Sequence, residues 1–117
     1  MDLTALRALL LADAGVRPLV GASRVYFLTA PEGAPAPYIV LQPLQTQPVN
    51  ALDGWAGLDL SAVLIDSYGV DFTSTKALGA AARTCLQAQQ ILMQQETEDY
   101  DNPTRTFRVS QQWQIWT

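Results

Sequence analysis

The chain has 117 residues, 49% of them hydrophobic and 15% charged, with a net charge of −4 and a single cysteine. That is enough apolar material for one packed core and too little charge for a disordered polyelectrolyte. The acidic balance argues against the Lys/Arg excess that neutralises phosphates on nucleic acid or on an anionic membrane, and the lone Cys85 excludes an intrachain disulfide and points to a reducing cytosol.

The beginning of the chain does not read as a signal peptide. Met1-Asp2 supplies no basic region and Arg7 interrupts the first apolar segment. No window approaches the roughly 20 apolar residues of a membrane span. Asp2 is a cap for a first helix running to about Asp13, with Leu3, Leu6 and Leu10 on one face and Gly15 as its stop. Residues 15–21 form a glycine-bounded turn, with room for one more helical turn beginning near Pro18.

A short strand is expected at 24–28, followed by a stretch in which Pro31, Gly33, Pro35 and Pro37 forbid regular pairing. A second strand runs over 38–46. Pro43 has no N–H for a ladder, which places it at a sheet edge or a bulge. Residues 47–57, with Pro48, Asn50, Asp53, Gly54 and Gly57, read as a loop. A third strand covers 58–68, and its second half reads as buried on both faces.

Asp71 and Thr73 are N-cap candidates for a second helix over 74–90. Leu78, Ala81, Ala82, Cys85 and Leu86 form its apolar stripe, small enough for close approach to a sheet. Strands at 91–100 and 105–116 end the chain, joined by Asp101-Asn102-Pro103-Thr104. Phe107, Val109, Trp113 and Ile115 share one face of the last strand, with Arg108, Ser110, Gln112 and Gln114 on the other.

The order α-β-β-β-α-β-β predicts an α/β fold of the α+β kind. A mostly antiparallel sheet of four to five strands carries two helices on one face, and residues 1–117 form a single domain. Leu6, Leu10, Leu78, Leu86, Phe107, Val109 and Trp113 are the expected core.

Catalytic chemistry is largely excluded. The chain has no histidine, so histidine acid–base catalysis and histidine metal ligation are unavailable. One cysteine cannot build a usual zinc site, and neither a dinucleotide fingerprint nor a phosphate-cradling loop occurs. The sequence offers no catalytic residue, no cofactor site and no metal site. Glu96, Glu98, Asp99 and Asp101 are the densest acidic group; their spacing lacks the glycine turn and closing glutamate of a calcium loop, and they read as a solvated or partner-facing hairpin.

Cys85 on the apolar stripe reads as a small buried hydrophobe rather than a nucleophile. Trp116 either covers the second face of the sheet or anchors an interface. Asp66 and Ser67, with Asp71 nearby, read as strand-end and cap residues. Partner contacts are expected in 47–57, through Asn50, Asp53 and Trp55, and in 96–105, through Glu96, Glu98, Asp99, Tyr100 and Arg105. Both segments lack the apolar alternation that ties a strand to a core.

The order of these features resembles a known family. A helix with Leu6, Leu10 and Asp13 leads into Val16, Leu19, Val20 and Gly21, then Arg24-Val25-Tyr26, Ala30-Pro31 and Pro37-Tyr38-Ile39-Val40. A helix with Ala77-Leu78, Ala82 and Leu86 follows an aliphatic strand, and a hairpin with Glu98 precedes Phe107-Arg108-Val109 and Trp113-Gln114-Ile115-Trp116. Over nearly the whole chain this is similar to the tail-completion proteins, or tail terminators, of long-tailed phages and gene transfer agents.

The resemblance implies a virion structural protein in a ring, commonly of six copies, at the head-proximal end of the tail. It implies contacts with the tail tube protein and a head-completion or connector protein, assembly in the host cytoplasm, and DNA passing through the lumen without specific binding. Two other readings stay open: a head-side neck connector subunit, and a small cytosolic ligand-binding domain. An acidic subunit suits a channel that must pass DNA without holding it.

Overall fold

The computed structural model describes residues 2–21, 23–51, 54–103 and 105–116, with the backbone alone for 49–51, 55–59 and 116. Among them run α1 (Leu3–Ala12), α2 (Arg17–Val20), β1 (Val25–Phe27), β2 (Tyr38–Ala51), β3 (Gly54–Gly69), α3 (Phe72–Ala88), β4 (Leu92–Asp101) and β5 (Thr106–Trp116). The strands form one five-stranded sheet in the order β1-β2-β3-β5-β4.

The helix starts follow from their caps. The Asp2 carboxylate accepts from the Ala5 N–H at 2.8 Å, and the Asp71 carboxylate accepts from the Ser74 N–H at 2.7 Å. The expected extra turn is a third helix, α2, with Pro18 in its first turn. Arg24 closes it, its guanidinium donating to the carbonyls of Val20 at 2.9 Å and Leu19 at 3.3 Å.

Three of the four strand pairings are antiparallel, and β1 pairs with β2 in parallel. Adjacent parallel strands require the chain to travel back between them. Residues 28–37 make that return, passing over the sheet face turned away from the helices.

Side chains alternate across a strand, which sorts the two faces. Ile39, Leu41, Val63, Ile65, Trp113 and Ile115 pack with Leu6, Leu10, Val16, Val20, Leu78, Ala82, Cys85 and Leu86 into one core between sheet and helices. Phe107 was expected there and is not. It is half-buried at the start of β5, where the helix layer ends, and meets Phe72 edge-on at 6.0 Å and Tyr100 edge-on at 5.1 Å.

The segment 47–57, expected to be a loop, is mostly strand. β2 continues to Ala51 and β3 begins at Gly54, with Gln47↔Leu60, Pro48↔Asp59 and Ala51↔Gly54 as register partners. Prolines survive there because β1 covers β2 only at Ile39, Val40 and Leu41, so the outer side of β2 beyond them is an edge where a missing N–H breaks no ladder. Leu44 is the extra residue of a bulge between Pro43 and Gln45, which turns the strand by one residue.

Candidate functional site

Three surfaces are placed by this architecture. The first is a β2–β3 arm. β5 accompanies β3 only from Gly69 to Leu60, where Leu60 pairs with Trp116. Beyond that point β2 and β3 continue as a two-stranded ribbon, through residues 48–51 of β2 and 54–59 of β3, which carries it roughly 13–20 Å onward. The molecule is correspondingly long, 51 × 29 × 23 Å. Asn50 and Trp55 are register partners near its tip, and Asp53 lies outside the described residues.

The second surface is the β4–β5 hairpin at the other end of β3, where Gly69 pairs with Phe107. The structure brings Glu96, Glu98, Asp99, Tyr100 and Arg105 together here and separates them from the Asn50–Trp55 tip by the length of β3. Glu96 and Glu98 lie on one side of β4, the side facing α3. Glu96 Oε1 accepts from the Gln111 amide at 2.8 Å, and Glu98 pairs with Lys76 of α3, which raises the lysine pKa. Asp99 points to the opposite side and accepts both arms of the Arg108 guanidinium, the Nε contact at 2.8 Å. That hydrogen-bonded pair holds the Asp99 carboxyl below its usual range. Tyr100 is 46% exposed. Arg105 sits in the turn with φ 54°, its N–H donating to the Asn102 carbonyl at 3.3 Å.

The third surface is the sheet face away from the helices. Tyr38, Tyr68, Arg108 and Asp99 are successive register partners across β2, β3, β5 and β4, a straight row over four strands. Tyr38 and Tyr68 stack at 4.9 Å with 21° between ring planes, and Tyr26 meets Tyr38 edge-on at 5.9 Å. Burial above all, then the mutual proximity of the two phenols and the Asp101 carboxylate, raises the Tyr38 pKa; burial also raises that of Tyr68.

Asp66 lies beside this row, between Val40 and Ser110 in register. It is 3% exposed, and its Oδ1 is buried without a hydrogen-bond partner. Burial pushes its carboxyl pKa up, against the opposing pull of the Ser110 hydroxyl and the Arg108 charge. It lies near the C-terminal end of β3, as expected, with Ser67 next to it on the core side, and both are paired to β2 and β5 within the sheet. Its position in the interior of the sheet, where a carboxylate is costly, had no signal in the local sequence.

Cys85 is buried, and its thiol is pushed up to about 11 by burial first and then by Asp13, which suits a packing residue. Among the described residues no group of three or more His, Cys, Asp or Glu side chains could hold a metal. No helix among them is long and apolar enough to cross a membrane.

These features define an assembly module: one sealed sheet face, one open face, and a strand arm extending past the body. The sequence profile of the tail completion protein gp17 family matches residues 4–117. The chain belongs to that family and is a structural protein of a phage-type tail. A similar solved structure is a chain from the virion of a native gene transfer agent particle. It is 18% identical over 96% of this chain and 91% of that one, with a TM-score of 0.79, and shares the fold. No curated protein matches the chain.

Proposed function

We propose that the chain is a tail terminator. Copies of it close into a ring, six in number, at the head-proximal end of the tail tube, stop tube growth and present the surface to which the head joins. The observation that carries this reading is the β2–β3 arm. A two-stranded ribbon is marginally stable alone in water, so an arm that leaves the body of the sheet is stabilised by a neighbouring molecule.

A ring is a heterologous assembly in which one surface of each subunit meets a different surface of the next. Two unlike edges support it: the irregular, proline-bearing edge of β2 and the acidic edge of β4. Contacts with neighbouring subunits fall on Asn50, Asp53 and Trp55 of the arm and on Glu96, Glu98, Asp99, Tyr100 and Arg105 of the hairpin. The subunit acts as a single domain without enzymatic activity or cofactor, assembles in the host cytoplasm, and passes DNA through its lumen without binding it specifically. The membership of the similar chain in a gene transfer agent virion supports placement within a particle.

The experiment is twofold. Light scattering and electron microscopy of the purified chain, alone and with tail tube protein, are expected to give closed rings. Addition to tails that lack the protein is expected to restore joining to heads. A chain that stays monomeric in both settings and leaves such tails overlong and headless overturns the proposal.

A further inference from the structure

The end of the molecule opposite the arm carries an aromatic surface that the helix layer does not cover. Phe72, the first residue of α3, meets Phe107 of β5 edge-on at 6.0 Å, and Tyr100 of β4 meets the same ring at 5.1 Å. Phe107 is half-buried between them, whereas Phe72 is 50% exposed, Tyr100 46% and nearby Val70 68%. Apolar side chains grouped at this exposure mark a contact surface rather than a scatter of single residues. Rings already packed on one another in fixed orientations lose little freedom when they are covered.

The arm has the matching composition. Residues 49–58 include Val49, Ala51, Leu52, Trp55, Ala56 and Leu58 and a single charged residue, Asp53. β5 leaves β3 at Leu60, so among the described residues the sheet supplies no third strand beside this segment. The aromatic surface of its own chain is out of reach. β3 runs from Gly54 at the tip to Gly69, the register partner of Phe107, which is about 50 Å of extended strand. A contact between the two surfaces therefore joins two copies.

We propose that the surface of Phe72, Tyr100 and Phe107 is the seat for the arm of a second copy of this chain. Trp55, the one aromatic residue of the arm, is the anchor, because a large ring placed on a cluster of rings gives the apolar, well-packed centre that dominates interface energy. The carboxylates of Asp71 and Asp101 flank the seat in sequence, which turns away an anionic membrane, while the arm brings only one charge. Arm and seat are the unlike pair that head-to-tail association requires, and its repetition closes into a ring where the rotation allows. The inference rests on the reading that copies of the chain assemble, and names the surface that the arm engages.

The test uses two variants that each keep one half of the contact. Replacing residues 48–59 by Asn-Gly removes the arm and leaves every β3–β5 pair and the seat in place. Phe72→Ser with Tyr100→Ser breaks the seat and leaves the arm, and thermal melts check that both variants fold. In analytical ultracentrifugation each variant alone is expected to stay monomeric. Their mixture is expected to give a 1:1 dimer that grows no further, because one member has no arm and the other no seat. Adding Trp55→Ala to the arm-bearing variant should weaken that dimer by about tenfold or more. A cysteine pair reads the contact directly: Val70→Cys in the armless variant and Asn50→Cys in the arm-bearing one should be joined by a short bismaleimide only in the mixture. Buried Cys85, its thiol pushed up to about 11, stays unlabelled. The cross-link works equally with Asn50→Cys in the native chain, so it does not depend on the double variant folding. A mixture that stays monomeric without cross-linking overturns the proposal, as does a dimer formed by either variant alone, which would mean that like surfaces meet. A 1:1 dimer of the variants without closed rings of the native chain would sink the terminator reading and leave this contact standing. Rings of the native chain alongside a monomeric, unlinked mixture would do the reverse.

Discussion

The side-chain amide of Gln111, on the core face of β5, donates to the backbone carbonyl of Gly79 in α3 at 2.9 Å. Gln111 is fully buried, and its remaining capacity is used: it donates to Glu96 at 2.8 Å and its oxygen accepts from the Trp113 indole at 3.3 Å. The bond depends on a close approach of helix to sheet, because a Cβ on residue 79 would meet Val109 Cγ1 at 2.9 Å. Gln111→Leu keeps the volume but strands the indole N–H and the Glu96 carboxylate. Equilibrium denaturation is expected to show a loss of about 1–3 kcal/mol, the cost of buried polar groups left without partners. A neutral or stabilising result would mean that packing alone fixes α3 on β5.

Trp113 and Phe107 lie on the same side of β5 but differ in burial. Trp113 is fully buried within the core, and Phe107 is half-buried at the end of the helix layer. Trp113→Ala is expected to cost about 3–5 kcal/mol. Phe107→Ala is expected to cost about 1–2 kcal/mol, because it removes only part of an aromatic side chain's burial and its edge contacts with Phe72 and Tyr100. Equal costs in urea unfolding would mean that the half-exposed cluster is packed as tightly as the core.

Much of the body of the fold was legible because its signals are local. Asp2 and Asp71 cap helices by side-chain bonds within three residues, and the apolar stripe from Leu78 to Leu86 follows one helix period. The period-two signal in β5 placed Val109, Trp113 and Ile115 correctly, but could not tell that the helix layer stops short of Phe107. Gln111 carries no local signal, because a polar residue on an apolar face declares its partners only once α3 and β4 are in place. The arm read as a loop because Pro48, Asn50 and Gly57 are turn residues in isolation; their tolerance comes from lying in an edge ribbon. The Tyr38–Tyr68–Arg108–Asp99 row is set by register between strands far apart in sequence, which no local pattern encodes.

Asp66 should make stability depend on pH in a definite sense. Its folded pKa is raised from the ordinary 3.8, with burial the largest cause. A group raised in this way favours the folded state below its unfolded pKa, and that contribution is lost as pH rises through the folded value. At higher pH the fold therefore bears the cost of burying this carboxyl group. Asp66→Asn is expected to melt at or above the temperature of the native chain at pH 7, with the gap closing as pH falls below about 3.8. Asp99 and Asp71, whose pKa values are lowered by Arg108 and by the Ser74 cap, work in the opposite direction in both proteins, so the difference between the two melts isolates Asp66. A variant that melts lower at pH 7, with the deficit shrinking in acid, would show that the ionised carboxylate is held favourably after all.

The arm can be removed without touching the pairing of the body. Gln47 and Leu60 are register partners, and Leu60 is the last residue of β3 that β5 also supports. Replacing residues 48–59 by Asn-Gly joins Gln47 to Leu60 through a two-residue turn suited to a tight hairpin. Every β3–β5 pair and the whole core cluster stay in place. The shortened chain is expected to melt within a few degrees of the native one, because a lone ribbon contributes little stability of its own. It is also expected to lose ring formation in light scattering and to leave terminator-deficient tails uncorrected. Trp55→Ala should weaken ring formation in the same direction by a smaller amount, as the loss of one aromatic anchor among several contacts. A shortened chain that still forms rings would move the subunit contact to the strand edges, with the acidic edge of β4 against the open edge of β2.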